Sequence, residues 1–547
     1  MKVEFLFLYF NKQIGVKMKI YSFSPFGYEG SLVAVEVDLR RGIPAIDMVG
    51  LADSAVKESR ERMKSAIRNS GYEFPPERIL ISLSPADLKK EGAGFDLPIA
   101  IAVLIAKNNS DPESNDDFNQ NCSPTNPQPK NSGPSLLILG ELELNGKVRP
   151  VRGVHAAVTT AKYTGINYCI VPTANASEAR EVSGMKVFGA DNLNQAFEAL
   201  NNLELFTEKS SSPNIALNGF PKEAIEINGI FFPPVEPGFD FADIKGQKNL
   251  IRALQIAAAG GHNVLSYGAP GCGKTLSMQR FSSLLPYLSQ EKSQSVTRIY
   301  SLAGLLPSDT SIINRPPFRM PHQTATIEGI CGGGQRLNPG EISLAHNGVL
   351  FLDEAAEFKT SVLQMLRVPL ESGQITLSRA GRSTTFPAKF QLLMATNPCP
   401  CGNFGSKEKI CLCSARSVEQ YWKKFSGPLL DRIEMRVRVE NKIDGAPSKS
   451  TDELRKEIAS ALKIQKFRQG FYNAEMTPAE IVEYCSLDSQ CENYMEKAAE
   501  KFQFSPRGVA GCIKVARTIA DMEEMENISI NHLREAVELR QTEDIMI

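Results

Sequence analysis

The sequence predicts an α/β fold: a P-loop core in the middle of the chain, an α+β domain before it and a helical lid after it. Three observations carry that expectation. Gly268-Ala269-Pro270-Gly271-Cys272-Gly273-Lys274-Thr275 fits the G-x-x-x-x-G-K-[ST] spacing, with an apolar strand at residues 263–267 and a helix at 275–285. Gly348-Val349-Leu350-Phe351-Leu352-Asp353-Glu354 reads as a buried strand ending in two acids. Gln391-Leu392-Leu393-Met394-Ala395-Thr396-Asn397 reads as a third buried strand, ending in a polar amide.

Chemistry explains these residue types. Glycines let successive backbone N–H groups curl around a phosphate, where a Cβ would crowd. Lys274 is expected to reach the β- and γ-phosphates of ATP, and the Thr275 hydroxyl to sit on Mg²⁺. Asp353 would hold the same Mg²⁺, Glu354 would polarise the attacking water, and Asn397 would orient it. A Gly-rich turn or an acidic strand end without chemistry competes with each piece alone. Their joint order argues against it.

Bulk properties set bounds. A chain of 547 residues has room for two to four domains. Hydrophobic content of 42% and charge of 22% are those of a soluble globular protein. The net charge of −1 gives no global argument for nucleic acid, so any such site is local. No apolar run reaches membrane-spanning length, and no membrane partner is expected. Residues 1–17 are apolar in part, lack a small-residue cleavage site and read as an N-terminal extension, with Met18 a candidate start. Eleven cysteines without a secretory signal point to reduced thiols and a cytoplasmic protein.

Residues 18–205 read as the α+β domain. Alternation marks a strand at 31–39, a helix follows at 53–70, a strand at 78–83 and a glycine turn into an apolar helix at 92–106. Residues 108–135 are rich in Asn, Ser, Pro and Asp and are expected to be a disordered insertion. The domain resumes at 136–142, with a helix at 154–163 and a strand at 168–172. Residues 206–238 read as a linker, 239–440 as the ATPase domain and 441–547 as the helical lid. In the ATPase domain a helix at 248–259 precedes His262, which reads as a structural turn residue.

Two runs of the first domain resemble the proteolytic domain of Lon-type proteases. They are Leu139-Gly140-Glu141-Leu142-Glu143-Leu144-Asn145-Gly146-Lys147-Val148-Arg149-Pro150-Val151-Arg152-Gly153-Val154-His155 and Glu91-Gly92-Ala93-Gly94-Phe95-Asp96-Leu97-Pro98-Ile99-Ala100. That family uses a Ser–Lys dyad. The resemblance puts Asp96 at the serine position and His155 at the lysine position, so no peptidase activity is expected.

The order of strand, phosphate loop, acidic strand and polar strand in 239–440 resembles the AAA+ ATPase core. In that family an arginine after a turn reaches into the neighbour's ATP site. Ser426-Gly427-Pro428-Leu429-Leu430-Asp431-Arg432 implies Arg432 for this finger. Ser505-Pro506-Arg507 opens a lid helix, and Arg507 fits the second sensor, reaching the γ-phosphate within its own subunit. A more specific resemblance, to the magnesium-chelatase-like YifB or ComM family, covers residues 18 to about 542. It rests on Gly50-Leu51-Ala52-Asp53-Ser54, Phe318-Arg319-Met320-Pro321-His322, Pro339-Gly340-Glu341-Ile342-Ser343 and Ala395-Thr396-Asn397-Pro398-Cys399-Pro400-Cys401-Gly402, among others. The chain departs from the family at Ala355-Ala356, where Leu-Pro is usual, and at Ala510-Gly511, near which a second arginine is often found. The resemblance implies a homo-hexameric, ATP-driven motor on DNA, with branch migration or helicase activity in recombination or natural transformation. A magnesium chelatase ATPase subunit and an ATP-dependent protein remodeller or protease are the alternatives.

Two local constellations remain. Cys399, Cys401, Cys411 and Cys413 place four thiols within fifteen residues, enough for a tetrahedral Zn²⁺ site; free thiols are the alternative. Residues 374–385 read as a hairpin with Ala380-Gly381 at its tip. Arg379 and Arg382 beside the tip would grip DNA phosphates without reading sequence, or else are ordinary turn charges.

Overall fold

Period-two alternation places the first sheet. Ser31–Arg40 buries Val33 and Val35 and pairs antiparallel with both Lys19–Ser24 and Arg78–Ser84. The computed structural model describes residues 18–540, less 87, 91, 110–133, 209–219, 308–309, 336, 380–381, 406–408 and 441–447. The N-terminal extension, nearly all of the expected insertion and the Ala380-Gly381 tip thus lie outside the described residues. The chain forms two units, residues 1–212 with 297–312, and residues 213–296 with 313–547.

In the first unit the sheet runs Lys186–Ala190, Tyr168–Pro172, Ser135–Ile138, Lys19–Ser24, Ser31–Arg40, Arg78–Ser84, Ile46–Val49. Helix Ser54–Asn69 starts at Asp53, whose carboxylate accepts from the Val56 N–H at 2.8 Å, and buries Val56, Met63, Ala66 and Ile67. Helix Asp96–Asn108 is buried from Asp96 to Leu104. One segment departs from the sequence expectation. Residues 297–312, within the span assigned to the ATPase domain, belong to this first unit. Leu302 packs against its second core, and the Ser301 carbonyl accepts from the Gly153 N–H at 3.1 Å.

The second unit holds a five-stranded sheet in the order Phe318–Arg319, Gly348–Leu352, Phe390–Thr396, Val264–Gly268, Met435–Val439, parallel at every pairing. Its strands are near-continuous apolar runs, and Val264–Gly268 and Gly348–Leu352 are buried at every residue, as in a sheet covered on both faces. Register sets the site. Leu352 pairs with Met394 and Tyr267 with Thr396, so Asp353, Asn397 and the phosphate loop leave neighbouring strands at one edge. Helix Lys248–Gly260 lies against helices Thr451–Arg468 and Pro506–Met522, and one core joins Val264, Ala395 and Met435 to Leu454, Ile458, Val515 and Ile519. The helix after the phosphate loop is shorter than expected: it spans Lys274–Gln279 and tightens to 3₁₀ over Arg280–Leu284.

The linker expectation needs correction. Within 206–238, Ile225–Ile227 and Ile230–Phe232 form an antiparallel hairpin, and Phe232 is fully buried in the core. Asn228 and Gly229 both take positive φ, 52° and 81°, as a two-residue type I′ turn requires.

Candidate functional site

Three strand ends converge. Gly271 and Gly273 sit at φ of +79° and +84°, and a Cβ at either would meet nothing within 4 Å, so glycine is kept there for backbone shape. The loop they form is held from outside by Gln247, whose amide donates to the Cys272 carbonyl at 2.6 Å and to the Glu440 carbonyl at 3.2 Å.

Lys274 is buried, and its ammonium donates to the Gly268 and Ala269 carbonyls at 2.7 and 2.9 Å. Asn397 Oδ1 lies 3.5 Å from the same nitrogen. Burial pulls the Lys274 pKa down, opposed by Cys272, Asp353 and Glu354. The Thr275 hydroxyl donates to Asp353 Oδ1 at 3.1 Å, and the Glu354 N–H donates to the same oxygen at 2.9 Å. Glu354 is exposed and stands at φ 48°, a backbone state that costs a non-glycine residue of order 1 kcal/mol. Lys274, Thr275, Asp353, Glu354 and Asn397, drawn from three separate strand ends, form one cluster.

Thr275 and Asp353 set two hard oxygen donors side by side, the donor set that suits Mg²⁺. These residues fit the ion.

The two arginines stand together elsewhere. Arg432 Nη1 donates to the Pro428 carbonyl at 2.6 Å, and Nη2 pairs with Glu371 Oε2. Arg507 Nη2 pairs with the other oxygen of Glu371 at 2.7 Å. Both cations hold the Glu371 carboxyl below its usual range, Arg507 most strongly. Arg507 is expected to serve its own subunit's pocket, yet in this chain it shares a carboxylate with Arg432. The backbone under Arg432 is fixed: Asn263 donates to its carbonyl at 2.9 Å, and Arg540 donates to the Ile433 carbonyl at 3.1 Å. Sequence reading missed Gln247 and Glu371. Glu371 carries no local signal, because its partners lie 61 and 136 residues away.

The four cysteines do meet. Cys399, Cys401, Cys411 and Cys413 bring their sulfurs within 4.8 Å of one another. Three separations are 3.4, 3.7 and 3.6 Å. Zn–S bonds of about 2.3 Å at tetrahedral angles set sulfurs about 3.8 Å apart, so the quartet fits zinc. Cys401 is drawn down to about 6 by the Asn403 N–H and by the Cys399 thiol. Arg379 and Arg382 face each other as the last paired residues of hairpin Gln374–Arg379 and Arg382–Pro387, both exposed.

In the first unit the two expected dyad positions keep different partners. Asp96 is fully buried and accepts from Arg62 Nε at 2.7 Å, from the Leu142 N–H at 3.2 Å and from the Ser59 hydroxyl. His155 is buried, neither ring nitrogen has a partner among the described residues, and burial lowers its pKa to about 4. His262, in the second unit, shares a 2.7 Å hydrogen bond with the Thr518 hydroxyl, and burial lowers its pKa to about 3. It joins the start of the phosphate-loop strand to a C-terminal helix.

Three family models match along the chain: subunit ChlI of Mg-chelatase at residues 35–175, magnesium chelatase subunit ChlI at 240–446 and its C-terminal region at 448–540. YifB of Escherichia coli is 35% identical over 534 residues, covering 96% of this chain and 98% of its own. The competence protein ComM of Haemophilus influenzae is 36% identical over 530 residues, covering 95% and 97%. The magnesium-chelatase 38 kDa subunit of Rhodobacter capsulatus is 28% identical over 180 residues, 30% of this chain and 51% of its own. Relatives alike from end to end, with family matches over both units, make this chain a member of the magnesium-chelatase-like AAA+ family that includes YifB and ComM.

Proposed function

We propose that the protein is an ATP-hydrolysing ring motor acting on DNA. The observation that carries the ATPase is the meeting of Lys274, Thr275, Asp353 and Asn397 at the ends of adjacent parallel strands. Lys274 leaves its two carbonyls for the phosphates, and the glycine-shaped loop offers them its N–H groups. Thr275 and Asp353 would hold Mg²⁺, whose charge would offset that of the phosphates. Glu354 stands exposed next to Asp353, where it polarises water, and Asn397 orients that water. Arg432 completes a neighbouring subunit's site, which makes the working unit a ring, read as a homo-hexamer in the cytoplasm. Arg507 stands beside it on Glu371.

DNA as the track is supported by the family and by the hairpin that carries Arg379 and Arg382. The family's competence protein points to recombination or natural transformation. A tetrathiolate zinc site at Cys399, Cys401, Cys411 and Cys413 completes the reading, and the first unit carries no peptidase. The chelatase reading has less support, because the match to the 38 kDa subunit covers 30% of this chain. The test is phosphate release with and without single-stranded, forked and four-way DNA, alongside strand displacement. DNA-stimulated hydrolysis with displacement is the expected result; hydrolysis indifferent to every DNA removes the DNA part and leaves the ATPase.

A further inference from the structure

The cysteine loop grows directly out of the nucleotide site. Asn397, 3.5 Å from Lys274, is two residues ahead of Cys399, which is fully buried. Between them the Pro398 carbonyl accepts from Trp422 Nε1 at 3.0 Å. Gly402, at φ +79°, lies on the phosphate loop itself: a Cβ there would fall 2.6 Å from Pro270 Cδ and 2.7 Å from Cγ. Its N–H donates to the Cys399 carbonyl at 3.0 Å, and the Phe404 N–H reaches Cys399 Sγ at 3.3 Å. Further on, the Gly405 carbonyl accepts from Arg438 at 2.7 Å, and Arg438 pairs with Tyr267 on the phosphate-loop strand. The second pair of thiols ends at Cys413. Ser414 then caps helix Ala415–Lys423, whose Tyr421 hydroxyl meets the Thr396 hydroxyl at 2.9 Å. Both limbs of the thiol quartet are therefore anchored to the strand that presents Asn397, and one rests on Pro270.

We propose that zinc on the four thiolates and nucleotide on the phosphate loop bind cooperatively, through the Gly402–Pro270 contact and Asn397. This rests on the ATP and tetrathiolate readings above. Zinc ties Cys399 and Cys401 to Cys411 and Cys413 and holds Gly402 against the phosphate loop in its nucleotide-ready shape. Nucleotide, by ordering that loop, closes the Cys399–Cys401 limb over the metal. Linkage makes the effect reciprocal: the factor by which zinc tightens nucleotide equals the factor by which nucleotide tightens zinc. Thiol protons leave to solvent as the metal binds.

The test uses the full chain in its assembled form. Metal analysis of fresh protein is expected to give about one zinc per chain, from the tetrahedral four-thiol count. Zinc transfer to a chromogenic chelator is then followed with and without Mg·ADP, and binding of a fluorescent ADP is measured before and after zinc removal, with circular dichroism to check the fold. Nucleotide is expected to tighten zinc about tenfold, read from the equilibrium partition of zinc between protein and chelator, and zinc removal to weaken ADP binding by the same factor, inside the range usual for coupled sites. Pro270→Ala, which removes the ring under Gly402, is expected to keep the zinc and bring both ratios close to one. Protein with no zinc, or with iron in its place, overturns the tetrathiolate zinc reading. Absence of ADP binding overturns the ATPase reading. Zinc and ADP that each bind while ignoring the other overturn the coupling alone, as does Pro270→Ala with wild-type ratios.

Discussion

Asp96 and Asp353 are acids at two positions where sequence pattern points to chemistry, and the fold treats them in opposite ways. Asp96 is fully buried, and its oxygens are taken by Arg62, Ser59 and the Leu142 N–H. Asp353 is half-buried, and the groups that donate to it, the Thr275 hydroxyl and the Glu354 N–H, belong to the cluster itself. The basic residues that pattern matches to them differ likewise. His155 is sealed in and held neutral by burial, whereas Lys274 rests on carbonyls of the very loop that a phosphate would occupy. A carboxylate saturated by its own chain is a structural ion pair. One whose neighbours are themselves ligand donors, at a strand end, is a candidate site.

Four outcomes would break or sharpen this contrast. The largest belongs to Arg432. Arg432→Ala is expected to bind ATP yet lose roughly 10³–10⁵ in hydrolysis, the usual contribution of an arginine finger. Lys274→Ala is expected to be inactive through lost binding. Mixing the two variants should restore phosphate release, with a peak near equal amounts, because an intact pocket then faces an intact finger. Co-assembled rings that stay silent would place Arg432 in its own subunit's chemistry or require several intact sites at once. A wild-type rate for Arg432→Ala alone ends the assignment.

Glu354→Gln comes next. The amide keeps the shape but not the charge, so turnover should fall by roughly 10²–10⁴ while nucleotide affinity holds. Affinity by fluorescence and phosphate release measured separately decide it, and unchanged release removes Glu354 from its role.

Asp96→Asn probes the other side of the comparison. It leaves Arg62 with an amide where it had a charge, and the first unit should lose about 3 kcal/mol, the low end for a broken buried pair. The low end is expected because the Arg62 side chain is 24% exposed and can reach water. Denaturant unfolding measures the loss, and ATP hydrolysis in the folded protein should not follow it. A variant as stable as the parent would mean that the Arg62 pair holds nothing together.

The smallest expected effect is none. Asp96→Ser with His155→Lys restores the residue types of a peptidase dyad, but Asp96 lies with Arg62 and Ser59 while His155 neighbours Glu178. Unfolded casein should remain intact. Cleavage by the parent protein, abolished at Asp96, would reverse the reading of the whole first unit.

Much of this was open to a sequence reading because it is local. The phosphate loop is eight residues whose spacing is set by backbone sterics, and the flanking strands announce themselves as apolar runs. The hairpin inside 206–238 was equally local, written in Asn228-Gly229, yet Pro and Ser around it dominated the reading. The cysteine quartet lay between: spacing offered four thiols, but only folding brought sulfurs twelve residues apart to 3.7 Å.

By itself, then, the sequence determined the elements and their chemistry: Gly271 and Gly273 where the backbone turns left-handed, Asp353 and Asn397 at strand ends, apolar faces for the core. Tertiary structure decided who meets whom. Strand order put Asn397 beside Lys274 across 123 residues, and chain closure put Arg432 and Arg507 on Glu371. It also drew residues 297–312 into the first unit and laid Gly402 on Pro270. The physical reason is range. Backbone sterics and hydrogen-bond periodicity act over a few residues and can be read along the chain, whereas a long-range pair depends on which of many compatible surfaces the packed core finally brings together.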